Sequence, residues 1–183
     1  DSSGGGIYAV ESNPRNLKYI LNCNIINNNA VFDGGGIRSD NSTFIDNCYF
    51  ENNYCGPGRY GSAIAGSNTT TNCIFFSNSG STIAWAKSLQ NCLLVNNGSR
   101  TLQSLGDGNN TSTVRNVSLI NNGSEPLYIT NNIELNNVNI VFKTAGQGIS
   151  VYDTVAVKYC NINGGQNRFN LGTNGYLEWG LGN

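Results

Sequence analysis

The sequence predicts an all-β chain folded as a parallel β-helix, a solenoid in which each turn stacks on the one before it. Three observations predict this fold. A short phrase recurs about every 22 residues, Val, Ile and Leu alternate without a helical period, and tight-turn residues are abundant. Among 183 residues there are 33 Asn and 23 Gly but 3 Pro. Asn and Gly accept the positive φ that tight turns between short strands require.

The recurring phrase reads Asn-Cys-x-apolar-x-Asn-Asn, with Val in the Cys position of two copies. Its copies span residues 22–28, 47–53, 72–78, 91–97, 116–122, 137–140 and 159–162. The steps between successive Cys positions are 25, 25, 19, 25, 21 and 22 residues. A second phrase of three small residues and Ile, as in Gly4–Ile7 and Gly34–Ile37, precedes most copies. We predict about seven right-handed coils, because parallel strand crossovers are right-handed. These coils occupy residues 1–165, and a tail follows at 166–183.

The cysteines fall in one position of the repeat and are predicted to form an inward column. Alternate strand residues face the same side, so each Cys and the residue two later point inward. Because Val replaces Cys at two copies, the position suits a small apolar side chain. We favour buried free thiols over disulfides, although the spacing leaves some disulfide open. The predicted column is Cys23, Cys48, Cys73, Cys92 and Cys160.

The last Asn of each phrase is predicted to form a second column. Stacked coils lie about 4.8 Å apart, so side-chain amides at one position can bond to the coils above and below. Such bonds satisfy backbone groups buried in the turns, which makes a structural role the favoured interpretation. The predicted ladder is Asn28, Asn53, Asn78, Asn97 and Asn122.

An apolar stripe is predicted on the outside of the solenoid. If each Cys faces inward, the residues one and three positions later face outward, where a solvated sheet would carry polar groups. We expect either the tail at 166–183 or another subunit to cover the stripe. Its members are Ile26, Tyr49, Ile74, Phe76, Leu93, Val95, Ile120 and Val141.

The combination of Gly-Gly-Gly-Ile with a following Phe-x-x-Asn resembles a known repeat family. It is found at residues 4–7 and 34–37, with 50–53 and 75–78. These phrases resemble the right-handed β-helix repeats of microbial surface proteins, including chlamydial polymorphic outer-membrane proteins and choice-of-anchor β-helix proteins. The resemblance covers residues 4–165, and it implies a β-helix at the cell surface.

Composition excludes several function classes. The net charge is −1, so the chain has no basic field to attract nucleic acid or anionic lipid. No apolar run reaches the length of a membrane span, and we expect no membrane insertion. The sequence has no His, which removes the usual triads and histidine metal sites. The cysteine spacing does not suit zinc either. We therefore predict neither metal nor cofactor.

A catalytic site is the weaker hypothesis. Parallel β-helices include polysaccharide lyases and hydrolases, whose chemistry needs converging carboxylates. The second coil is the acid-rich one, and Asp40, Asp46 and Arg38 are the candidates if the chain is an enzyme. Because isolated surface acids are common, solvated charges are the favoured interpretation.

Three glycosylation sequons lie in predicted loops, at Asn41, Asn68 and Asn110. The predicted function is a non-catalytic, extracellular structural or adhesive β-helix. It stacks head to tail with copies of itself, because bare end coils recruit other strands, or it belongs to a longer surface protein. Surface glycans are possible partners. The alternatives are a polysaccharide-cleaving enzyme and a glycan-binding module.

Overall fold

In the computed structural model, the strands pair in parallel with strands one repeat earlier and one repeat later. The structure describes residues 4–10, 16–106 and 111–183. Every strand pairing among these residues is parallel. The stacked turns form seven coils and the start of an eighth, which confirms the predicted all-β parallel β-helix.

Coils one to three carry short strands separated by tight turns, and they supply ten of the strands. Their bounds are β1 Ile7–Ala9, β2 Lys18–Leu21, β3 Asn24–Ile26, β4 Asn29–Ala30, β5 Ile37–Ser39, β6 Thr43–Asp46, β7 Tyr49–Glu51, β8 Tyr54–Cys55, β9 Ile64–Thr71 and β10 Ile74–Phe76.

Coils four to seven carry nine strands, and a 3-10 helix at Gly165–Arg168 leads into the eighth coil. The nine strands are β11 Ile83–Gln90, β12 Leu93–Val95, β13 Leu102–Gln103, β14 Ser112–Ile120, β15 Leu127–Ile129, β16 Ile133–Val141, β17 Ile149–Val151, β18 Thr154–Lys158 and β19 Asn161–Ile162. The eighth coil carries β20 Phe169–Leu171 and β21 Tyr176–Trp179.

Three long parallel ladders wrap the core, and we number them sheets 1, 2 and 3 in the order in which the chain enters them. A short fourth ladder joins β4 and β8. Sheet 1 starts at β1 and pairs Ile7 with Ile37. Sheet 2 starts at β2 and pairs Ile20 with Ile45. Sheet 3 starts at β3, where Ile25 lies opposite Phe50. Each inward position therefore becomes a continuous apolar column along the axis.

The inward register predicted from the Cys position is confirmed. Residues two after each Cys position are buried, from Ile25 in coil one to Ile162 in coil seven. In the middle of this column, Phe50 and Phe75 stack face to face, with ring centroids 4.7 Å apart and an interplanar angle of 9°. The inward position three residues before each Cys is also buried, with Thr70 the polar exception to an apolar column.

The tail does not cover the outer stripe. Strand β20 pairs with β17, and β21 pairs with β18, so residues 169–179 begin an eighth coil. Phe169, Leu177 and Trp179 extend inward columns on the open end of the core, and the Phe169 and Trp179 rings meet edge to face at 5.8 Å. Because its apolar residues cover this end, the tail packs on the helix axially, and the expectation of lateral packing over the stripe is wrong.

Candidate functional site

The inner Asn ladder forms as predicted. In each neighbouring pair, the backbone N–H and the side-chain amide of the earlier Asn both donate to Oδ1 of the later one, at 2.9 to 3.1 Å. The amides of Asn53, Asn78, Asn97 and Asn122 also donate to backbone carbonyls of the preceding coil. These asparagines satisfy buried turn backbone, so their role is structural.

After Asn122, where the inner Asn ladder ends, the side chain of Gln147 hydrogen-bonds to the turn backbone in place of an Asn. The Gln147 side chain donates to the Asn122 carbonyl at 3.1 Å and accepts from the Lys143 backbone N–H at 2.6 Å. Sequence reasoning missed this substitution, because Gln147 lies outside the repeated phrase. The only sequence signal was the loss of the Asn pair after Val141.

A second Asn ladder runs along the outer corner between sheets 2 and 3. The first Asn of each phrase has positive φ, from 50° to 56° at Asn22, Asn47, Asn72, Asn91 and Asn116. The side-chain amides of Asn47, Asn91 and Asn116 each donate to Oδ1 of the Asn one coil before, for example from Asn116 to Asn91 at 3.0 Å. Asn72 is the exception, because its amide donates to the Asp46 carboxylate. The same chain of bonds continues from Asn137 to Asn116 at 2.9 Å. The sequence placed Asn at this corner but gave no sign of the amide chain.

The cysteine column also forms, and all six cysteines are free thiols. Cys48, Cys73, Cys92 and Cys160 are buried, whereas Cys23 in the first coil is half-buried. Hydrogen bonding with Cys73 raises the pKa of the Cys48 thiol far above its ordinary value. The bond with Cys48 lowers the pKa of Cys73, but the bond with Cys92 and burial outweigh it and raise that pKa to about 12. These thiols are therefore protonated at neutral pH, which disfavours nucleophilic chemistry.

Cys55 lies outside the column but is not in a loop. It ends strand β8, stacks on Ala30 of β4, and is buried. Burial, followed by the nearby Asp33 charge, raises the pKa of the Cys55 thiol to about 11.

The apolar stripe lies on the outer face of sheet 3, and the tail leaves it uncovered. Ile26, Ile74 and Val141 are exposed, and the other five predicted members are half-buried. The bare stripe does not reflect a register shift of one residue, because the inward columns are buried while the stripe stays outside.

The three candidate catalytic residues do not converge. Asp46 accepts hydrogen bonds from Thr71 at 2.6 Å and Asn72 at 2.7 Å, and these bonds hold its pKa below the ordinary value. Asp40 instead pairs with the Lys18 ammonium at 2.8 Å. Arg38 and Asp40 line one groove, which Asp46 does not reach.

That groove, which we call the Trp85 groove, has a volume of about 590 Å³. It follows the edge where the strands of sheet 1 end, and it is lined by residues from coil one, at Val10, to coil six, at Asn131. Trp85 of coil four lines its middle and has φ of 57°. The Arg38 guanidinium lies over the indole, 5.2 Å from its centroid. Sequence reasoning missed Trp85, because no repeat phrase contains it.

Both end faces leave the apolar interior partly open. Ile7 and Cys23 in coil one are half-buried, whereas Ile37 and Cys48 in coil two are buried. At the other end Leu177 and Trp179 are half-buried. Coil one also carries a cluster of exposed large apolar side chains: Tyr8, Val10, Leu17, Tyr19, Leu21, Ile26, Val31 and Phe32.

The sequon asparagines have different surroundings. Asn41 is exposed in the turn after β5, as predicted. Asn68 lies within strand β9, where the sequence predicted a loop, and its amide donates to the Asn41 carbonyl at 2.9 Å. Asn110 lies outside the described residues.

The described residues contain neither a metal-binding cluster nor a bilayer-spanning helix. No group of three or more His, Cys, Asp or Glu side chains there is arranged to hold a metal ion. Within residues 4–10, 16–106 and 111–183, no helix combines the length and hydropathy needed to cross a bilayer.

No protein-family model matches the chain, and neither a curated protein nor a solved structure does.

Proposed function

We propose that this chain is a non-catalytic structural or adhesive β-solenoid of the cell exterior, extended by stacking at its end faces. Copies of the same chain are the first proposed partner, and further coils of a longer surface protein are the second. The resemblance of its repeats to those of microbial surface proteins supports the extracellular location.

The observation that carries this proposal is the half-open core at both ends. Inward side chains that are fully buried in the middle coils remain half-buried at Ile7, Cys23, Leu177 and Trp179. Covering such apolar surface is favourable by about 25 cal/mol per Å². Within residues 4–10, 16–106 and 111–183, strands β1, β2 and β3 of coil one pair with coil two alone, so their other backbone edge has no strand partner among these residues. An edge of this kind recruits another strand.

The environment of the acidic candidates supports a non-catalytic role. Asp40 is held by Lys18, by the Ser42 backbone N–H at 2.9 Å and by the Ser42 hydroxyl at 2.5 Å. A carboxylate bound in this way fixes the turn after β5. The polysaccharide-cleaving alternative requires a second carboxylate opposite Asp40, and Asp46 is directed to Thr71 and Asn72 instead.

Blocking the free edge of β2 tests the proposal. The N–H groups of Lys18 and Asn22 donate to coil two, so alternation along the strand places the Tyr19 N–H on the free edge. Proline removes that donor and is tolerated on edge strands. We expect the wild-type chain to form end-to-end oligomers that lengthen with concentration in sedimentation velocity and electron microscopy. Tyr19→Pro should shift them to monomers, and the matched control Tyr19→Thr should not.

Self-stacking is overturned if the wild-type chain stays monomeric at the highest concentration reached. It is also overturned if Tyr19→Pro and Tyr19→Thr oligomerise equally. Far-UV circular dichroism of both variants separates a blocked edge from a lost fold.

A further inference from the structure

The backbone at Trp85 is unusual. Ten of the fifteen non-glycine residues with positive φ in the described parts of the chain are Asn, the side chain that best tolerates this conformation. Trp85 has φ of 57° in the middle of strand β11. The adjacent coils have small residues with positive φ at the equivalent position: Gly66 in coil three and Ser104 in coil five. Arg100 and Tyr159 share this conformation, at φ of 56° and 54°, but of these three residues it is Trp85 that lines the Trp85 groove. A bulky residue in strained backbone at a groove points to a functional role.

Two neighbours fix the orientation of the Trp85 ring. The Arg38 guanidinium is 5.2 Å from the indole centroid, and the Tyr60 ring lies 5.2 Å away at an interplanar angle of 60°. Arg38 is itself anchored, since it donates to the Ala65 carbonyl at 3.3 Å. The indole is half-buried and lines the groove, so part of it remains open there. The ring is therefore preorganised for contact with a ligand.

The groove is long and runs across the coils. Val10 lies in coil one and Asn131 in coil six, and a rise of about 4.8 Å per coil over five steps gives a length of about 24 Å. Its volume of about 590 Å³ is within the usual range for ligand sites. An occupant must therefore be an extended chain molecule.

The lining combines the open part of the Trp85 ring with hydroxyl, amide and charged groups. Its free polar groups are mostly neutral: Asn41, Thr130 and Asn131 offer donors and acceptors. The Asp40 carboxylate is already paired with Lys18, and the Arg38 guanidinium already lies against the indole. An aromatic face packs against the C–H groups of a pyranose ring, while the polar groups bond to its hydroxyls. We propose that the Trp85 groove binds a neutral oligosaccharide in an extended conformation along the solenoid axis.

An extended peptide fits the same groove less well. Peptides gain affinity by adding a strand to a free sheet edge. In the middle coils each strand of sheet 1 is already paired on both sides, as Ile83 is with Ile64 and Leu102. A peptide lying across these strands would leave its backbone groups without ladder partners.

Titration calorimetry with cellohexaose, chitohexaose and laminarihexaose tests the proposal. Pentagalacturonate serves as the acidic comparison. In the variant Trp85→Asn, Asn accepts the positive φ while the ring is lost. Tyr159→Asn is the matched control, because Tyr159 also has positive φ, at 54°, but lies in coil seven, away from the groove. We expect at least one neutral hexasaccharide to bind wild type and Tyr159→Asn equally, and Trp85→Asn about tenfold more weakly.

Several outcomes overturn the proposal: no neutral hexasaccharide binds at millimolar concentration, pentagalacturonate alone binds, or Trp85→Asn binds as tightly as wild type. If Trp85→Asn does not fold, Asn41→Ala provides the second test. Asn41 is exposed at the groove wall, and we expect its loss to weaken binding severalfold. Unchanged binding by Asn41→Ala would then contradict the site.

Discussion

Asn53 Oδ1 accepts hydrogen bonds from both the backbone N–H and the side-chain amide of Asn28, at 3.1 and 3.0 Å. The two residues are one coil apart, so this pair of hydrogen bonds connects the turn of coil one to the turn of coil two. Asn53 in turn donates from the same two groups to Asn78. One amino acid per coil therefore satisfies a donor and an acceptor in each buried turn, which explains why the last Asn of the phrase recurs.

Removing one member from the middle of this ladder should be costly. Asn78→Ala leaves the Asn53 N–H and the Phe50 carbonyl without their side-chain partners in a buried turn. Unsatisfied buried groups cost about 1–3 kcal/mol each, so we expect the free energy of unfolding to fall by about 3 kcal/mol. Urea unfolding followed by circular dichroism measures the loss.

The control for the ladder variant is Asn24→Ala, which changes an exposed Asn on the outside of β3. We expect the free energy of unfolding of Asn24→Ala to differ from that of wild type by no more than about 0.5 kcal/mol. Equal losses for Asn78→Ala and Asn24→Ala would contradict the ladder's role.

At the outer Asn corner, we expect the backbone conformation to contribute to stability in addition to the hydrogen bonds. Asn91 has φ of 53° and bonds through its side chain to Asn72 and Asn116. Asn91→Gly and Asn91→Ala both remove these side-chain hydrogen bonds. The difference between their free energies of unfolding therefore isolates the cost of the positive φ. We expect the alanine variant to be less stable by about 1 kcal/mol, because the left-handed region penalises a Cβ atom. Thermal unfolding of the pair measures this, and an alanine variant as stable as the glycine variant would rule it out.

The buried thiols predict a loss of stability at alkaline pH. The pKa of Cys73 is raised to about 12 in the fold, so the thiol keeps its proton there while the unfolded chain loses it above about pH 9. The unfolded state then binds fewer protons than the folded state. The free energy of unfolding should therefore fall between about pH 9 and 12, by at most about 1.4 kcal/mol per pH unit for this thiol.

Cys73→Val provides the control for this pH dependence. Val117 and Val138 occupy the same inward column, so valine fits the position. We expect denaturant midpoints of the variant to fall less steeply with pH than those of wild type. Parallel curves for the two proteins would show that Cys73 does not contribute.

The sequence was sufficient to predict the coils because stacking makes each position of the repeat a column. A Cys position that tolerates Val, with an apolar residue two positions later, defines the inward face directly. The end coil was mispredicted, because pairing of β20 and β21 depends on the open core that Phe169 and Trp179 cover. The Trp85 groove could not be predicted from the sequence for a related reason. It is formed by residues that differ from coil to coil, and only the strand stacking brings Arg38 next to Trp85.

Two consecutive phenylalanines give the most direct test of the register. Phe75 is fully buried and stacks on Phe50, whereas Phe76 lies on the outer stripe and is half-buried. Phe75→Ala opens a cavity in the core and should lower the free energy of unfolding by about 3–5 kcal/mol. Phe76→Ala should lower it by less than about 1.5 kcal/mol, since its ring already contacts solvent. The two variants have the same composition, so urea unfolding compares position alone. A greater loss for Phe76→Ala would mean that the strand faces the opposite way.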